Sequence, residues 1–488
     1  MSAGSRVRQR ANVSIAWVVA LLVCSACKVG SEDIEYWKGT VKGPGKIVAV
    51  MLAEKYPVEL RTQAALALVD MERPDRDGTS DLQQALARLD DDSRNALVAG
   101  MVPGLVALMR QSDPAAGGAA STRQIRAKDA AFLLVTHAPQ EVKTQLTADV
   151  VAWYMEDFNG RSLAGNYSAE QVIRALGPPA AKELVKGLKA RMPPAALVKM
   201  SQLVGQVADP QSKREAGAKL VAIFNEMESD PFLAYLKQMV SEQAQRGGQK
   251  LDPKRLDALA RTNRDNYVNE GALPAMKWLA DEPAVKKKLF EVAENERADA
   301  ERRMRALQAL EGKVGPSDLA QVMHIAKGNS PDQVRDYAFD RVGDIRSPEA
   351  LKDLWPMLTS NDNAKLRWRA GELVLAIGGG SEVPTFFEKL PTADYPAREL
   401  EGYATRLGQM TPVPFDAVRK QLSSKDWYDK VIAIRFFERK GSGEDVKQLE
   451  ALKSDSAAVK GADWGKTKTV GEVATEAVMS AKQRLGQP

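Results

Sequence analysis

Thiols and imidazoles are almost missing from this chain. Its 488 residues hold two cysteines, Cys24 and Cys27, and two histidines, His137 and His324. Beyond residue 27 there is no thiol, so the body of the protein has no disulfide, no cysteine nucleophile and no Cys/His zinc site. A Ser–His–Asp triad would have to draw on one of two histidines far apart in sequence, and no G-x-S-x-G elbow occurs. Both histidines fall near expected helix C-termini, where a surface or capping imidazole is the ordinary role. Aromatic residues are sparse, at 6%, and alanine is abundant. That argues against a β-rich fold and fits helices that cross closely on small residues.

A dominant charge is missing too. Lysine and arginine number 69 against 64 acids, but Arg6, Arg8 and Arg10 lie within residues 1–26, which carry no acid. The remainder therefore balances 66 basic groups (69 less three) against 64 acidic ones, and no global field attracts nucleic acid. The apolar run at 13–23 is too short for a bilayer, which needs about 20 apolar residues. With its basic head and the small residues Ser25 and Ala26 it reads as an export signal. The end of that signal, Cys24-Ser25-Ala26-Cys27, resembles a bacterial lipobox, with Cys24 where leucine is usual. The resemblance implies that residues 1–26 are removed and that Cys27 is lipidated as the first residue of the mature chain. Lys28, where an aspartate would imply inner-membrane retention, points to the outer membrane. A plain secretory signal or an uncleaved anchor are the other readings.

What the chain does have is a repeat. Ala306, Ala338 and Ala370 stand at equal steps of 32 (338 − 306 = 370 − 338), as do Arg303, Arg335 and Arg367. Leu310, Val342 and Val374 keep the same step, and so do Leu319, Leu351 and Val383, and Met323, Trp355 and Phe387. A fixed period in the range of about 20–50 residues marks stacked repeats. Within one unit, residues 331–358, Pro331 and Asp332 open a helix whose Val334, Ala338 and Val342 share a face. Gly343 and the 346–348 segment end it, and Pro348 starts a second helix with Leu351, Leu354 and Leu358. Each such hairpin is amphipathic on both arms and buries its apolar stripe only when stacked on a copy.

The pattern around Val334, Arg335, Ala338, Val342 and Gly343 resembles a HEAT repeat, closest to the short HEAT-like units of phycobilisome lyases. The marks of tetratricopeptide and ankyrin repeats are not found. The resemblance implies an all-α fold, an α-solenoid of stacked antiparallel helix pairs, and a protein that binds rather than reacts.

In order, the sequence predicts a signal peptide at 1–26, a glycine-rich tether at 27–46 and irregular helical repeats over 47–242. A loop or hinge with a helical connector follows at 243–280, then the regular array at 281–455 and a C-terminal capping helix region at 456–488. Two short segments glance at ligand motifs. Residues 39–46 miss a phosphate loop by one glycine position and by Ile47 where Ser or Thr is needed. Residues 73–81 miss an EF-hand at both ends, with Arg73 and Gln84 in ligand places, and read as a turn with a helix cap at Ser80. No cofactor or metal is expected.

Trp368 falls about 200° round its helix from Ala370, outside the expected core stripe of Leu366, Ala370, Leu373, Val374 and Ile377. Arg367 and Arg369 flank it and Arg335 precedes it by one repeat, so these four residues are the candidate partner-binding set. A tryptophan packed on the neighbouring hairpin under arginine stems is the competing reading. Three functions fit the sequence: a lipid-anchored scaffold for proteins of the cell envelope, an envelope protein that binds or cleaves glycans with paired carboxylates, and a structural spacer.

Overall fold

The computed structural model describes residues 29–71, 78–111, 120–158, 165–360 and 363–487. Cys27 and the expected export segment lie outside the described residues, as do 73–77 of the acidic turn and the run at 113–118. Among the described residues the protein is all-α, with one isolated antiparallel β-bridge between Ala458 and Thr469. It divides into two compact units, Met1–Met227 and Glu228–Pro488.

The first unit contains α1 (Ser31–Lys38), α2 (Gly43–Leu52), α3 (Val58–Asp70), α4 (Gly78–Leu86), α5 (Asp91–Arg110) and α6 (Thr122–Val135). It continues with α7 (Gln140–Phe158), α8 (Ala169–Leu176), α9 (Pro178–Gly187), α10 (Pro194–Val207) and α11 (Pro210–Met227). Helices pack on neighbours one to three places along the chain, as stacked repeats require. The acidic run at 90–92 is a helix start: the Asp90 carboxylate accepts from the Ser93 N–H at 2.8 Å. The helix expected to begin after a cap at Ser80 begins at Gly78.

The tether expected over 27–46 is not one in its described part, 29–46. From Ser31 on it is helical, and Ile34 and Ile47 are fully buried in the core of the first unit, with Trp37 packed against it. The glycines misled because they serve packing. A Cβ on Gly43 would lie 1.8 Å from the Trp37 carbonyl oxygen, and Pro44 stands in the first turn of α2, where its fixed φ suits a helix.

The second unit contains α12 (Asp230–Arg246), α13 (Pro253–Tyr267), α14 (Leu273–Lys277), α15 (Pro283–Glu294), α16 (Ala300–Ala309), α17 (Leu319–Lys327), α18 (Asp332–Ile345) and α19 (Leu351–Thr359). Then come α20 (Ala364–Gly378), α21 (Val383–Lys389), α22 (Ala397–Gly408), α23 (Phe415–Arg419), α24 (Trp427–Lys440), α25 (Gly443–Ala451) and α26 (Val470–Leu485). Of the loop or hinge and helical connector expected at 243–280, the loop shrinks to the turn between α12 and α13, and the rest is largely helical. The Asp252 carboxylate caps α13 by accepting from the N–H groups of Lys254 and Arg255, both at 3.0 Å. α13 buries only Ala260, which is why its sequence reads as a polar loop.

The repeat holds. Ala306, Ala338 and Ala370 are fully buried, and so are Leu310, Val342 and Val374. They lie where α16, α18, α20, α22, α24 and α26 pack, each on the next. The pairing within a repeat differs from the sequence reading. α17 packs closely on α18, and α19 on α20, whereas α18 and α19 meet less closely. The chain leaves α18 through Arg346 in the left-handed conformation (φ 51°) and a 3-10 turn, Pro348–Ala350, which carries α19 away from it. In the core stripe of α20, Leu366 and Ile377 are only half-buried, while Leu375 is buried.

An arginine staples one helix to the last at two places. Arg303 Nε donates to the Ala293 carbonyl at the end of α15 (2.8 Å), and Arg61 Nε in α3 does the same to Met51 at the end of α2 (2.9 Å). A guanidinium there satisfies a carbonyl that the helix end leaves open and meets the negative end of its dipole. Because the alanine rung is fully buried between packed helices, Ala338→Leu should overpack α18 against its neighbours and destabilise the second unit by about 1–3 kcal/mol. A thermal melt unchanged from the parent would refute the close packing at that rung.

The C-terminal end is more than a cap. α26 buries Val470, Val473, Ala474, Ala477, Val478 and Ala481 against α24 and α25, with Leu485 half-buried. Ahead of it, residues 455–469 form a strap over the start of α22. Tyr395 N–H donates to Lys460 O at 2.9 Å, Ala397 N–H to Ala462 O at 3.0 Å, and Trp464 Nε1 to Tyr395 O at 3.0 Å. Arg398 pairs with Asp463 at 3.2 Å, and the Trp464 ring packs edge-on against Trp427.

Candidate interaction surface

The four residues singled out by the sequence do not form one patch. Arg367 points inward and is excluded from any surface. Its side chain is 2% exposed and forks onto Glu399, 1% exposed, at 3.0 and 3.1 Å, with a third bond to the Asp394 carbonyl. The guanidinium lies 4.3 Å over the Tyr395 ring, and the Tyr403 hydroxyl donates to Glu399 at 2.9 Å. Burial pushes the Glu399 carboxyl up, and the bonds from Arg367 and Tyr403 pull it back. Glu399 is itself one step of 32 beyond Arg367, so the rung whose arginine in α16 staples a carbonyl of α15 is closed here by a carboxylate. Arg335, on that rung in α18, is 14% exposed at its side chain and pairs with Asp332 of its own helix.

Trp368 and Arg369 do face outward in part. The Trp368 ring lies across Gly402 of α22, where a Cβ would come within 3.0 Å of its Nε1. Arg398 sits 5.7 Å over the ring, and the indole N–H is turned inward without a hydrogen-bond partner. Arg369 reaches back to Asp336 and Asp340 of α18 and forward to Glu372, at 3.0 Å.

This pattern recurs along the layer of stacked helices. Positions 305, 337, 369 and 401 are again one step of 32 apart and hold Arg, Tyr, Arg and Glu. Arg305 bonds Glu270 at 2.5 Å, and Gln308 donates to the Tyr337 hydroxyl at 2.6 Å. Glu401 lies 3.6 Å from Arg435, which also reaches Glu476 at 3.2 Å. Between α14, α16 and α18 the row opens into a cleft of about 390 Å³ lined by Lys277, Arg305, Gln308, Glu311, Tyr337 and Asp340. Tyr337, Asp340, Glu372, Arg398 and Arg435 were missed from the sequence. The step of 32 carried through to Glu401 was the signal that could have found the row.

Chemistry on this surface is limited. The carboxyls raised by burial, Glu399 and Asp429, are 1% and 4% exposed, so no substrate reaches them. The acids of the outer row, Asp340, Glu372 and Glu401, are held by arginines. His137 follows α6 half-buried, with burial and Arg94 pushing its pKa down, and His324 lies exposed in the last turn of α17. No group of three His, Cys, Asp or Glu side chains converges among the described residues, and no described helix is long and apolar enough to cross a membrane.

No protein-family model matches the chain, and no curated protein matches it. Among solved structures it is similar to the crystal structure of the karyopherin Kap121p, at 13% identity and a TM-score of 0.35, over 100% of this chain and 48% of that one. It is also similar to Kap121p bound to Nup53p, at 13% identity and 0.33, over 92% of this chain and 50% of that one. A third is the Pds5–Scc1 complex, at 11% identity and 0.26, over 92% and 70%. The chain spans about half the length of Kap121p. What its own helices show, among the described residues, is an all-α fold of stacked helix pairs.

Proposed function

We propose that the protein is a lipid-anchored, non-catalytic scaffold that binds other proteins of the cell envelope along the outer row of its second unit. The observation that supports this reading is the row itself. Tyr337 and Trp368 are part-exposed among Arg305, Arg369, Arg398 and Arg435, and tryptophan, tyrosine and arginine are the side chains that dominate protein interfaces. The arginines are held in place by carboxylates that are partly or fully exposed. Such pairs are worth at most about 1 kcal/mol each, so a partner can exchange them at little cost. Lipid attachment at Cys27 and an outer-membrane address rest on the lipobox-like end of the export segment.

The test uses the full chain in its native membrane. Trp368→Ala and Arg369→Ala should leave the melt within about 2 kcal/mol of the parent, since no buried group loses its partner. Both should lose a discrete protein that the parent captures on crosslinking. Equal capture by parent and variants would overturn the surface. Cys27→Ala should move the protein from the membrane to the soluble fraction, and an intact, unmodified Cys27 in the mature protein by mass spectrometry would overturn the anchor.

A further inference from the structure

The described residues start at Val29 and are helical from Ser31, so an acyl group on Cys27 would be tied by a short stretch of chain to one corner of the first unit. Two residue steps separate Cys27 from Val29, at most about 7 Å of chain. Val29, Gly30 and Ser31 form one wall of an open cleft of about 620 Å³, and Lys55, Tyr56, Pro57, Glu59, Leu60 and Gln63 form the other. That second wall is the turn between α2 and α3 together with the first turns of α3. Val58, the first residue of α3, is 38% exposed, which makes it one of the few large apolar side chains left in solvent. Lys55 Nζ lies 5.0 Å over the Tyr56 ring, and Pro57 is exposed.

We infer that the Lys55-Tyr56-Pro57-Val58 corner is a membrane-contact face, and that the bilayer closes the cleft between it and Val29. The inference rests on the acylation of Cys27 proposed above. The corner offers the side chains that settle where acyl chains meet headgroups: a tyrosine with an apolar ring and a polar tip, and a lysine whose stem follows that ring while its charge stays in water. Residues 53–60 contain Glu54 and Glu59 against the single Lys55, so attraction to anionic lipid does not hold the face down. The contact is apolar and interfacial, and it should persist at high salt and on neutral lipid.

The mature chain has no cysteine beyond Cys27, so single labels can be placed cleanly. Full-length protein carrying Val58→Cys or Lys55→Cys would be purified from membranes, labelled with an environment-sensitive fluorophore and reconstituted on vesicles. The vesicles would be phosphatidylcholine alone, or phosphatidylcholine with phosphatidylglycerol. Lys186→Cys, whose parent side chain is 71% exposed, gives the reference position in the same unit. Labels at 55 and 58 should shift to the blue on both vesicle types and resist an aqueous quencher several-fold better than the label at 186. Protein that sediments with the vesicles while 55, 58 and 186 quench alike would overturn the face and leave the anchor standing. Failure to sediment would overturn the anchor and the face with it.

Discussion

Arg367→Met should destabilise the second unit by about 3–5 kcal/mol, because it strands a buried carboxylate without its counter-charge. At about 2–4 °C per kcal/mol for a unit of this size, the melt falls by roughly 6–20 °C. Glu399 would keep only the Tyr403 hydroxyl, at 2.9 Å, as a donor. Burial already pushes its carboxyl up, so without the guanidinium it takes up a proton. The loss should therefore be smaller at pH 5 than at pH 8. The double variant Arg367→Met, Glu399→Gln removes both charges and should recover most of the stability, since an apolar replacement of the whole pair is often near neutral. A single variant that melts like the parent, or a double variant as weak as the single one, would show that the pair is not what holds α20 to α22.

Asp429→Asn should raise stability at pH 8 by about 2–4 kcal/mol. The Asp429 side chain lies in the first turn of α24, and the residue is 4% exposed. Ser424 donates to Oδ2 at 2.9 Å, and Oδ1 has no partner. Burial pushes its carboxyl up to about 7, and the neighbouring charge of Asp426 adds to this. The folded value thus stands above the unfolded one of about 3.9, so folding takes up a proton between them. Asp429 costs no stability below the unfolded value and its full cost is reached as pH rises through about 7. The amide mimics the protonated form at every pH. Its advantage should therefore be largest at pH 8, shrink steadily as pH falls and vanish near pH 4. Parallel pH profiles for the parent and the variant would refute the assignment.

How far the sequence carried depended on whether a residue's role was periodic. Ala306, Ala338 and Ala370 announced themselves because one helix contact is made three times with the same geometry. Arg367 recurred just as regularly, yet its period was silent about direction: its own side chain is buried, and only the partner one step on, Glu399, reveals that. Trp368 packs on the neighbouring helix under an arginine, as the competing reading had it, but Gly402 and Arg398, which hold its ring, belong to that next helix and carry no local mark. The folded start was illegible for a different reason. Gly43 is needed so that α2 can approach the Trp37 carbonyl, and a glycine required by contact looks the same in sequence as one tolerated in a linker.

In most stacked-helix proteins the last repeat can detach without disturbing the others, because each touches only its neighbours. The strap removes that freedom. Trp464 reaches Tyr395 across 69 residues, and Lys460 and Ala462 accept from the backbone that leads into α22. α26 therefore cannot peel from α24 without also releasing the start of α22. In hydrogen exchange, the amides of α22, α24 and α26 should open together with one common free energy, in place of a gradient that falls toward residue 487. The same long closure has a kinetic cost, since loops of this span form late. The end of the array should be the last part of the second unit to fold, and one of the slowest to come apart.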